Sequence, residues 1–186
     1  MMRVPKVGLI MRRLLLGLAA LIGVAAPAPA KTYNSKDALW RTERLAELVD
    51  AYRQALPGKL RVLNFEISYN RAELQVQDPA KPKHVDEYDY IHEQVSRPAP
   101  VRLYGSGSLE DSLYDWDAVA WDRIPAVVSK AVKMVKLEHG KVSGVTVKRD
   151  LPSTKNVRIF VHLYGPRQTG GLTADAQGNV LAAKVY

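Results

Sequence analysis

The stretch HVDEYDYIHE, residues 84–93, gathers the best metal-capable side chains of the chain. His84, Asp86 and His92 share one strand parity, with Tyr88 and Tyr90 between them. Imidazole and carboxylate groups suit borderline and hard divalent cations. Along one face of a strand, however, side chains stand ~6–7 Å apart for each two-residue step. His84 and His92 meet at one ion only if the strand bends, so the stretch reads as a polar, solvent-facing strand and no metal site is expected. Asp115, Asp117 and Asp122, beside Trp116 and Trp121, supply the paired carboxylates that a glycoside hydrolase needs. The same residues fit a capped helix entry with the tryptophans packed on a core.

Nucleophiles are scarce. The chain has no cysteine, Ser106 and Ser108 sit in a Gly-Ser run, and no G-x-S-x-G elbow occurs. His139 and His162 lie in other segments, without a motif-like neighbour. There is no H-E-x-x-H, and the glycines of GPRQTGG have the wrong spacing for a phosphate cradle. Catalysis and cofactors are therefore not expected.

One set of residues departs from an ordinary solvated surface. In NVRIFVHLY, Val157, Ile159, Val161 and Leu163 alternate with Arg158, Phe160, His162 and Tyr164. Successive strand side chains point to opposite faces. If the aliphatic residues face a core, the outward face carries Arg and aromatics, the types that dominate protein-interface hot spots. Tyr88, Tyr90 and His92 are candidates to extend this patch. The alternative is a face covered by SRPAPVRLYG, residues 96–105, or by the N-terminal tail.

These side chains need a scaffold, and its elements recur. Leu45, Leu48, Val49, Tyr52 and Leu56 lie on one helical face, and Gly58 follows. Ile124, Val127, Val128, Ala131 and Val135 repeat that spacing, with Asp122 as N-cap, Pro125 in the first turn and Gly140 as the stop. Period-two strands come after each helix: Leu63, Phe65 and Ile67, then Ala72, Leu74 and Val76; Val145 and Val147, then Val157 to Leu163. The final hairpin turns at AQGN. The fold class expected is α+β, with two αβββ-like repeats, residues 31–104 and 119–186, joined by a linker at 105–118. Their antiparallel sheet carries both helices on one face.

The closing residues LTADAQGNVLAAKVY resemble the end of a PepSY unit, where a strand, an Asp, a Gly turn and an apolar strand complete the repeat. The element order resembles the tandem fold of β-lactamase-inhibitory proteins, from which the chain departs in lacking cysteines. The resemblance implies an extracytoplasmic binding or inhibitory module.

The N-terminus agrees with that location. Arg12 and Arg13, an apolar run from Leu14 to about Ala26, and Ala28-Pro29-Ala30 read as a signal peptide over residues 1–30, cleaved after Ala30. Met11 is a second candidate start. The apolar run is shorter than the ~20 residues of a spanning helix. Without cysteine, no lipid thioether can form, so no membrane anchor is expected after cleavage. Four of the 27 Lys and Arg residues and none of the 19 acids precede Lys31, leaving 23 against 19, or +4. That is too mild and interspersed for a nucleic-acid partner. The function expected is a non-catalytic periplasmic or secreted module that binds or inhibits an envelope or secreted protein through a sheet face. A small-ligand or lipid carrier and, behind it, a hydrolase are the rival classes.

Overall fold

The apolar spacings in the sequence become two layers. The computed structural model describes residues 37–104 and 107–186, so the candidate signal segment lies outside the described residues. The elements run α1 (Thr42–Ala55), β1 (Arg61–Ile67), β2 (Arg71–Gln77), β3 (Val85–Ile91), β4 (Gln94–Val95), β5 (Ala99–Pro100), α2 (Leu109–Ser112) and β6 (Tyr114–Asp115). Two 3-10 turns follow, at Trp116–Ala118 and Trp121–Arg123. Then come α3 (Ile124–Val135), β7 (Lys141–Arg149), β8 (Val157–Tyr164), β9 (Thr169–Asp175) and β10 (Val180–Val185). The protein is α+β: among the described residues ten strands join one antiparallel sheet in the order β10-β9-β8-β7-β1-β2-β3-β4, with β5 beside β3 and β6 beside β1.

Register explains the core. Leu74, Phe65, Val147, Ile159 and Ala174 are successive cross-strand partners from β2 to β9. A second row runs Tyr90, Ala72, Ile67, Val145, Val161, Leu172, Ala183. Directly opposed residues point to the same side, so both rows build one apolar face. The two long helices, α1 and α3, cover it. Tyr52 of α1 meets Phe65 edge-on at 5.7 Å, and its hydroxyl donates to the carbonyls of Ala72 and Tyr88 at 3.1 and 2.9 Å. Val135 of α3 sits so close to β9 that a Cβ on Gly170 would come within 2.6 Å of it. Trp116 and Trp121 fill the space between, 4.1 Å apart and each 5.3 Å from Phe65.

Several local expectations need correction. Asp122 is not an N-cap: Arg123 precedes α3 in helical conformation, continuing the 3-10 turn, and no side chain caps the helix. Gly140 is not the stop either. Lys136 takes the left-handed conformation, φ 49°, directly after Val135, and Gly140 closes the next turn by donating to Leu137. Over residues 107–118 the expected linker is built into the fold. Arg61 and Lys155 hold α2 through Glu110 and Asp111, β6 pairs with the start of β1, and the buried Tyr114 hydroxyl donates to the Val147 carbonyl. Short chain segments rich in acids and Gly look alike in sequence whether they are solvated or pinned by distant cations.

Candidate binding face

The opposite face of the sheet has four short rows on β7 to β10. The first is Lys148, Arg158, Asp175; the second Thr146, Phe160, Thr173, Ala182. The third is Gly144, His162, Gly171, Lys184; the fourth Lys141, Tyr164, Thr169. Tyr186 extends the fourth, its N–H donating to the Thr169 carbonyl. Arg158, Phe160, His162 and Tyr164 thus project together, away from the helices, because their neighbours Ile159, Val161 and Leu163 are buried in the core. His162 and Tyr164 are exposed, and Arg158 and Phe160 are half-buried among their neighbours.

His162 lies between two glycines, which leaves its row low between the Phe160 and Tyr164 rows. Tyr186 uses that space: its ring lies 3.9 Å from where a Gly171 Cβ would stand, and the residue is 73% exposed. A Cβ at 171 would press on the Val161 carbonyl at 3.0 Å and meet that ring at ordinary contact distance. Lys148 reaches to 5.9 Å from the centre of the Phe160 ring, and His162 Nε2 is 3.1 Å from Thr146 Oγ1. Although the His162 ring is open to solvent, the sheet around it desolvates it in part and so pushes the imidazole below its ordinary pKa; Glu66 opposes this and Lys148 adds to it. The ring is therefore mainly neutral near pH 7.

The rest of this face has the opposite charge. The Phe160 row continues through Glu66 and Glu73 to Asp89, and Glu87 stands one row away. Arg71 binds Asp89 at 2.7 Å and Glu73 at 3.2 Å. Burial and the neighbouring Glu87, Glu66 and Asp89 nevertheless raise the Glu73 carboxyl, with Arg71 acting in the other direction. The face is acidic over β1–β3 and cationic with aromatics over β7–β10.

The proposed extension of the patch is wrong for three residues. Tyr90 is the cross-strand partner of Ala72 and 3% exposed, and Tyr88 partners Leu74; both belong to the helix-covered face. The parity of residues 86, 88 and 90 is inward, because the outward positions of β3 are Glu87 and Asp89. His92 is not in a strand. It turns the chain between β3 and β4 with φ 52°. His84 precedes β3 and so stands at the other end of it, and among the described residues no three His, Cys, Asp or Glu converge as metal ligands. Tyr186, Lys148 and Lys184 were missed; parity continued along β7 and through the last residue points to them.

Residues 96–104 do not cover this face. They run along the far edge, where β5 pairs with β3. The aspartates of the hydrolase alternative are each paired with cations: Asp115 with Lys59 and Arg61, Asp117 with Arg53, Asp122 with Arg123. The adjoining Trp116 and Trp121 are buried. A carrier's cleft between helices and sheet is occupied by Tyr52, Phe65 and both tryptophans. A surface groove of about 470 Å³ instead lies beside α1, lined by Leu45, Val49, Trp121 and Pro125 and rimmed by Asp50 and Arg53.

No protein-family model matches the chain, and no curated protein matches it. A solved structure does: a protein of Clostridium difficile 630 described as a "putative lipoprotein". It is 9% identical, with a TM-score of 0.49, covering 76% of this chain and 92% of the other. Among the described residues no helix is long and apolar enough to cross a membrane.

Proposed function

We propose that this protein is a non-catalytic, exported binding module that holds an envelope or secreted protein on the outer face of β7–β10. The observation that carries the reading is the shared projection of Arg158, Phe160, His162 and Tyr164, joined by Tyr186, on a sheet face that no described segment covers. Aromatic side chains bury a large area for few lost rotamers, and Arg adds a planar charged fork, so both types concentrate binding energy at interfaces. A sheet backed by a continuous core holds them rigid before the partner arrives, lowering the ordering cost of association. The surrounding Lys148, Arg158 and Lys184 favour an acidic contact on the partner.

The export half of the proposal rests on residues 1–30 and places the working protein in the periplasm or outside the cell. Two repeats, α1-β1-β2-β3 and α3-β7-β8-β9, account for the mirrored strand order about the central β1–β7 pair. This is the arrangement implied by the PepSY and inhibitory-protein resemblance. The test is capture of envelope proteins by the tagged protein. A Phe160→Ala, Tyr164→Ala double variant that folds should lose the captured partner; undiminished capture refutes the face.

A further inference from the structure

Charge is unevenly shared along the described chain. Residues 37–118 hold 10 Lys and Arg against 15 Asp and Glu, whereas residues 119–186 hold 11 against 4. Such asymmetry between halves points to an anionic surface as a contact of the second. Its cations gather at one pole, where α3, β8 and β10 finish and β7 and β9 begin. The turns at that pole pack together: a Cβ on Gly165 would stand 2.8 Å from the Glu138 carbonyl and 3.7 Å from the Leu137 Cβ. Residues 141–144 of β7 lie beyond its last pair with β1, Val145 with Ile67, so the pole projects past the neighbouring strand.

Four cations stand there. Lys133 lies in the last turn of α3, Lys136 follows the helix, Lys141 opens β7 and Arg167 sits in the β8–β9 turn; all four are exposed. Among the described residues none of them is in an ion pair. Across residues 133–141 and 164–169 the only acidic side chain is Glu138, with His139 4.0 Å away. Lys133 and Lys136 also complement the negative end of α3, a role that Lys141 and Arg167, on strand and turn, do not have. Apolar and aromatic side chains are interspersed: Met134 is 51%, Tyr164 48% and Tyr186 73% exposed. Lys141 and Tyr164 are cross-strand partners, and Tyr164 faces Thr169, to whose carbonyl the Tyr186 N–H donates.

We infer that this pole docks the protein on an anionic lipid surface. Cations alone suit any polyanion. Met134 and the tyrosines favour a bilayer, whose interfacial region takes up apolar chains and holds tyrosine rings at the boundary between hydrocarbon and water. Lys and Arg stems bury their methylenes beside them while the charged heads stay among the phosphates. The contact is peripheral, salt-sensitive and reversible, since it rests on a few cations and side chains rather than on an anchor. That the protein meets the outer side of a membrane rests on the export reading. Because β7–β10 all end at the pole, their strands stand upright on the lipid. The outer face bearing Phe160 is then perpendicular to the membrane and open to a partner held at the same surface.

The experiment is co-sedimentation with phosphatidylcholine vesicles, with and without phosphatidylglycerol, at low salt. The parent should bind the vesicles with phosphatidylglycerol at least about tenfold better than those without, and about 0.5 M salt should release it. Each cation at an anionic surface contributes about fivefold. Changing Lys133, Lys136, Lys141 and Arg167 to Gln together should therefore weaken binding by at least about thirtyfold. Changing Lys81, Lys83, Arg97 and Arg102, exposed cations of the other half, to Gln removes the same charge and should leave binding within about threefold. Met134→Ser should weaken it about fivefold. Parent and variants keep the same N-terminus, so residues 1–36 cancel in the comparison, and circular dichroism checks folding. Should the fourfold pole variant fail to fold, Lys136→Gln with Arg167→Gln decides. Absence of binding, equal binding without phosphatidylglycerol, an unaffected pole variant, or equal loss from both fourfold variants overturns the inference. An unaffected Met134→Ser overturns it too, because a surface read by charge alone takes any soluble polyanion. Phe160→Ala should leave vesicle binding unchanged while weakening partner capture, so this inference and the binding face can fail separately.

Discussion

Replacing Tyr52 by phenylalanine tests the inner layer by a change of sign. The ring stays against Phe65, Tyr90 and Trp116, and only a hydroxyl that donates to two carbonyls is lost. Net hydrogen-bond contributions and the cost of stranded acceptors together give a destabilisation of about 1–2 kcal/mol at pH 7. Burial, first of all, and then Asp89 and Glu73 push the Tyr52 phenol far above its ordinary pKa. The native state therefore keeps the proton where the unfolded chain releases it. With fewer protons on the unfolded state, stability falls as pH rises above ~10, by about 1.4 kcal/mol per pH unit from this one residue. The phenyl ring of the variant has no proton to lose. The gap between parent and variant should hold from pH 7 to about 9.5, close near pH 11, and reverse above it. Urea unfolding at a series of pH values reads this directly, with other titrating groups common to both proteins. A gap that stays constant to about pH 11.5 would mean that the Tyr52 hydroxyl reaches solvent in the folded protein, and the packing of α1 on β1–β3 would be wrong.

Phe65→Ala should cost ~3–5 kcal/mol, as for other fully buried rings, while Glu66→Gln beside it on the outer face should change urea stability by less than about 0.5 kcal/mol. Reductant should leave the melting temperature unchanged, since the chain has no cysteine. NMR titration should place the His162 imidazole below its ordinary pKa of ~6.5, and Lys148→Ala should move it upward. His162 thereby costs stability as pH falls below that ordinary value, because the unfolded chain takes up the proton first.

Much of the scaffold could be read from periodicity, since Tyr52 and Val128 fall on helical stripes and Phe65, Ile159 and Leu74 on strand alternation. Burial on one face is enough to impose those patterns. Tyr90 shows where the signal fails. Tyr, Asp and Glu alternate in β3, and composition does not say which parity faces inward; the pairing of Tyr90 with Ala72 does. Pairing is a long-range fact, absent from any local window. The same holds for residues 109–115, pinned by Arg61, Lys155 and β1 from far along the chain. Arg158, Phe160, His162 and Tyr164 were legible because their aliphatic neighbours in β8 leave no doubt about parity. Parity along β10 gives the side of Tyr186 but not its seat over Gly171, which depends on two strands that meet only in the sheet.

Binding through the outer face is tested most directly by truncating its three most prominent aromatics together. Phe160, Tyr164 and Tyr186 should be changed to alanine and the protein assayed at equal concentration for capture of envelope proteins. The core lies on the other side of the sheet, so the variant should melt within a few degrees of the parent. Its affinity should fall by at least ~2 kcal/mol, about thirtyfold. Native folding with undiminished capture would contradict the account.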